Sequence, residues 1–73
     1  MDQDIPAGVV TALLDYRAKT VRARASFVAH CVASTAGKKD EAERTDVIRQ
    51  RDTTEMMMAR QSLELAIEVW SGR

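Results

Sequence analysis

Proline and glycine are almost missing from this sequence. The one proline is Pro6, and the three glycines are Gly8, Gly37 and Gly72. Residues 9–36 and 38–71 therefore lack both residues that most disfavour a helix interior. Cysteine occurs once, as Cys31, which excludes an internal disulfide framework and suits a reducing compartment. The aromatics are Tyr16, Phe27 and Trp70, too scattered to stack successive bases. Neither sign of charge dominates, with 11 basic and 11 acidic residues. Long apolar runs are missing too: the Met56–Ala59 cluster falls far short of the ~20 residues a membrane span requires. Met1-Asp2-Gln3-Asp4 is acidic where a secretory leader would be basic. The chain reads as cytoplasmic, without a membrane segment.

What remains is helix-forming sequence interrupted once. Ala36-Gly37-Lys38-Lys39-Asp40 supplies a helix stop, a turn and a new start, with Asp40 and Glu43 spaced as a capping box. At the other end, Asp4 precedes Pro6, which is tolerated in a first turn where no N–H is needed. The expected fold is all-α: a single helical-hairpin domain over 1–73, with helix 5–35, turn 36–40 and helix 41–71. One hairpin of this size holds a poor core, since below about 70–80 residues a single core gives only ~3–5 kcal/mol. Assembly as a dimeric four-helix bundle or a larger helical oligomer is therefore expected.

Two apolar stripes run along the first helix. The stronger is Val10, Leu14, Ala18, Val21, Ala25, Val28 and Val32, the alternating four-three spacing of a paired helix, and it is expected to meet the second helix. Beside it lie Val9, Leu13, Thr20, Phe27 and Cys31, edged by Tyr16 and Ala23. Two stripes imply two neighbours. Cys31 is read as a buried, inert thiol. In the second helix the apolar residues crowd toward the C-terminus, from Met56 to Trp70, so the open end of the hairpin is greasy and the turn end charged. Trp70 is expected to close that end. Of the three consecutive methionines, Met58 is expected to face the first helix, Met56 a second subunit and Met57 solvent, where it would mark a partner site.

Charge separates the helices. Residues 5–35 set Asp15 against Arg17, Lys19, Arg22 and Arg24, a net of +3, while residues 40–71 carry a net of −4. Arg17 and Arg24 sit between the stripes, and Asp52 and Glu55 fall in the apolar arc of the second helix. With the turn at 37–39, positions summing to about 76 face each other. Interhelical ion pairs of Arg24 with Asp52 and of Arg17 with Glu55 are expected, fixing register more than adding stability. The same arginines could instead hold a partner carboxylate or a small anion.

Catalytic chemistry has little to work with. His30 and Cys31 are adjacent and diverge on a helix, and no Ser/His/Asp set, phosphate-cradling glycine loop or metal-ligand spacing is present. No enzyme activity, metal or cofactor is expected. The reading that follows is a small protein-binding module, an adaptor, chaperone-like factor or inhibitor, with itself and another protein as partners. Its candidate contact residues are Tyr16, Arg17, Arg24, Phe27, Met56, Met57 and Trp70. The alternative is a small-anion or nucleotide binder with arginine-lined pockets between subunits and Tyr16 or Trp70 stacking on a base. Nucleic-acid binding by the basic first helix ranks last, because the acidic helix would neutralise it and no helix-turn-helix is available.

Overall fold

The computed structural model describes residues 4–72. It contains two helices, α1 (Ala7–Thr35) and α2 (Lys39–Ser71), packed against each other as an antiparallel hairpin. The body measures 54 × 18 × 13 Å, one helix thick in its narrowest direction. No helix among the described residues is long and apolar enough to cross a membrane.

The turn is built as the glycine predicts. Gly37 adopts φ +73°, the left-handed conformation that L side chains avoid. Its N–H donates to the Ser34 carbonyl (3.1 Å), and the Lys38 N–H donates to the Ala33 carbonyl (3.0 Å), the two bonds of a Schellman stop. The two N-terminal caps differ from expectation. α1 starts after Pro6 rather than at Asp4 or Ile5, and α2 starts after Lys38, with no side-chain cap on either. Asp40 therefore lies inside the first turn of α2 beside Glu41. There the two carboxylates favour the positive end of the helix dipole, and no capping box forms.

The stripe that faces α2 is also not the expected one. Positions 9, 12, 16, 19, 23, 26, 30 and 33 of α1 are buried or half-buried, as are 42, 45, 49, 52, 56, 59, 63, 66 and 70 of α2. Both series alternate three and four, so the helices pair through one continuous seam. Its contents are mostly small or polar: Ala12, Ala23, Ser26, His30 and Ala33 against Ala42, Thr45, Arg49, Asp52 and Ala59. The Val10–Leu14–Val21–Val28–Val32 stripe points outward, with Leu14 58 %, Val21 61 % and Val28 58 % exposed.

Polarity decides this rotation. α2 brings Thr45, Arg49 and Asp52 to the seam, and a carboxylate set against valines would have no partner. Ser26 and His30 give these groups hydrogen bonds, while alanines let the backbones approach. The cost is a thin core: Val9, Ala23, Ala33 and Ala59 are the buried apolar residues among those described.

Candidate interaction surface

The seam's polar centre forms from residues that the apolar pattern did not single out. Ser26 donates its hydroxyl proton to Asp52, which is only 2 % exposed. Arg51 adds bonds to the other oxygen of Asp52 at 3.2 and 3.3 Å. The Ser26 hydrogen bond, assisted by Arg51 and Arg22, holds the Asp52 carboxyl below its ordinary range despite the opposing effect of burial.

One turn toward the open end, Arg22 Nη1 reaches Glu55 Oε1 at 3.2 Å. Toward the turn, His30 Nδ1 donates to the Ala42 carbonyl at 3.0 Å, and Nε2 faces Asp46 Oδ1 at 3.9 Å. Asp46 is held by Arg49 at 2.6 Å, and this bond lowers its carboxyl pKa, with smaller help from His30 and Gln50.

The expected ion pairs are thus replaced. Asp52 takes Ser26 and Arg51 in place of Arg24, and Glu55 takes Arg22 in place of Arg17. The register is the expected one, since the numbers of these facing residues sum to 76–78. The error lay in rotation: turning α1 to bury alanine and serine carries Arg17 and Arg24 outward. Among the described residues neither arginine makes an ion pair.

The outward arc of α1 therefore has a distinct make-up. Arg17 and Arg24 lie on its midline, roughly 130° round the helix from the seam. Val10, Leu13, Leu14, Val21, Phe27 and Val28 surround them, all exposed. Cys31 lies on the same arc and is exposed, contrary to the buried thiol expected.

The other candidate residues are dispersed. Tyr16 is half-buried in the seam, so it is turned away from Arg17. Met56 occupies the seam while Met57 and Met58 are exposed, so it is Met56 and not Met58 that faces α1, and Met57 lies at the surface as expected. Trp70 reaches the open end, where a shallow groove of ≈ 390 Å³ is lined by Pro6, Val9, Leu65, Ala66, Val69 and Trp70. That groove lies about 15 Å along the hairpin from Arg17, by the helical rise. Arginine and tryptophan do not converge on one pocket within a single chain.

A pattern of small and polar residues at three-four spacing, Ala12, Ala23, Ser26, His30 and Ala33, could have revealed the true seam. It is matched in α2 by Ala42, Thr45, Asp52 and Ala59. Compared with known protein families, curated proteins and solved structures, the chain matches none.

Proposed function

We propose that this chain is a non-enzymatic protein-binding module acting through the outward arc of α1. The supporting observation is an inverted distribution of side chains: alanine, serine and a buried carboxylate fill the seam, while the valine and leucine stripe lies outside. Contiguous apolar surface of this kind marks an interaction site on a small protein. Arg17 and Arg24 within it, which make no ion pair among the described residues, select an occupant that supplies carboxylates as well as apolar side chains.

A double variant, Val21→Glu with Val28→Glu, tests this. Both residues lie outside the seam, so any loss of helicity in the variant by circular dichroism reflects lost association and not a broken seam. Light scattering and hydrophobic-dye fluorescence read the surface. The wild-type protein is expected either to associate or to bind dye, and the variant to do neither. A wild-type protein that is monomeric and silent to dye overturns the reading.

A further inference from the structure

We infer that the occupant of the α1 arc is a second copy of this chain, stacked so that α1 of each hairpin runs antiparallel to α2 of the other. The inference rests on the reading of that arc as a binding surface and adds the partner's identity and its orientation.

The first argument is stability. The seam buries Val9 and three alanines and half-buries Met56, Leu63, Ala66 and Trp70 among the described residues, too little apolar surface to hold a 73-residue chain folded by itself. A foreign partner would leave the chain poorly folded until it arrived. A second copy is present wherever the first is.

The second argument is charge. Arg22 and Glu55 pair across one broad face of the hairpin. On the opposite face α1 presents Arg17 and Arg24 and no acid, while α2 presents Glu43, Asp46 and Glu64 with Lys39 and Arg60 as its bases, a net of one negative charge. Two such faces can be stacked about a two-fold axis in two ways. With the axis across the helices, α1 lies on its own copy and four arginines meet. The one nearby acid of α1, Asp15, is already held by Lys19 at 3.0 Å. With the axis parallel to the helices, each basic arc lies on an acidic one and every neighbouring helix is antiparallel. The first arrangement sets four arginines together with no acid free to offset them, whereas the second sets Arg17 beside an Arg60 that already has Glu64 at 3.4 Å.

The parallel axis preserves the level of each residue along the bundle. Since facing residues sum to 76–78, Arg17 comes level with Arg60 of the second copy, and Glu64, one turn further on, lies within reach of both arginines. The Arg60–Glu64 pair at 3.4 Å is exposed and leaves the other Glu64 oxygen free to accept from Arg17.

Three measurements on the whole chain test the inference. Light scattering across a concentration series is expected to give two copies. A spin label on Cys31, the only cysteine, is expected to report a short pair distance, because a parallel axis puts both labels at one level with backbones about 15 Å apart or less. Arg17→Glu and Glu64→Arg are each expected to raise the dimer dissociation constant about tenfold, and the combined variant to recover most of that loss.

A pair distance exceeding 30 Å would place α1 against α1 and overturn the orientation, since Cys31 lies ten residues beyond the helix midpoint. A combined variant no better than its singles overturns the Arg17–Glu64 contact and with it the orientation. A stable species larger than two copies overturns the closed pair. A monomer that binds hydrophobic dye overturns the second copy while leaving the α1 arc as a binding surface. A dye-silent monomer overturns both.

Discussion

Gly37 carries a backbone conformation that its neighbours cannot share. Nothing lies within 4 Å of a Cβ built there, so the difficulty is the φ of +73° and not space. Gly37→Ala is expected to destabilise by about 1–2 kcal/mol, the cost of a left-handed L residue. Gly8 sits in the first turn of α1, also with open space, and Gly8→Ala is expected to be neutral or stabilising by up to ~1 kcal/mol. Urea unfolding of the two variants compares them directly. At Asp52 the relevant variable is pH. Its carboxyl, like that of Asp46, titrates below the ordinary value of 3.8 in the folded chain. The unfolded chain therefore takes up protons first as pH falls. The stabilisation is fully present well above the unfolded value of 3.8 and is lost as pH drops through the folded values. Ser26→Ala removes the leading cause of the Asp52 shift. It is expected to lower the urea midpoint at neutral pH and to flatten its decline between pH 5 and 2.

Within an element, the question is which face of α1 meets α2. Ala23 and Ala59 are buried in the seam, and Ala18 and Ala25 are exposed on the outer side. Ala23→Leu and Ala59→Leu are expected to cost about 1–3 kcal/mol each by forcing the helices apart. Ala18→Leu is expected to leave the hairpin's stability nearly unchanged. If the valine stripe faced α2, Ala18→Leu would be the damaging change, so thermal unfolding of this set separates the two rotations. The existence of both helices and their register were legible in the sequence, because Gly37 marks the turn and the helical rise does the rest. The rotation was not. Apolar periodicity favoured Val10, Leu14, Val21 and Val28 for the seam, and no hydropathy pattern reports that Asp52 must meet Ser26.

At the scale of the whole molecule, a rod 54 Å long and 13 Å thin has almost no interior. If a second copy completes the core, association and folding are one equilibrium. The melting temperature should then rise with protein concentration, and differential scanning calorimetry at tenfold dilutions would show it. Added salt should weaken the pair by screening its opposed charges, without abolishing apolar contact. A melting temperature independent of concentration would mean that the hairpin is stable alone.

Local signals were enough to determine the all-helical hairpin: the lack of proline and glycine on either side of Gly37, the left-handed stop at that glycine and the separation of charge between the helices. The first two depend on residues a few positions apart and the third on composition summed along each helix, and both are written directly in the chain. Tertiary structure alone decided which faces were hidden. Whether a stripe is core or surface depends on what the opposite helix brings to the same level. Here Asp52 required Ser26 and the backbones required alanine. The valines, and the arginines among them, were turned outward.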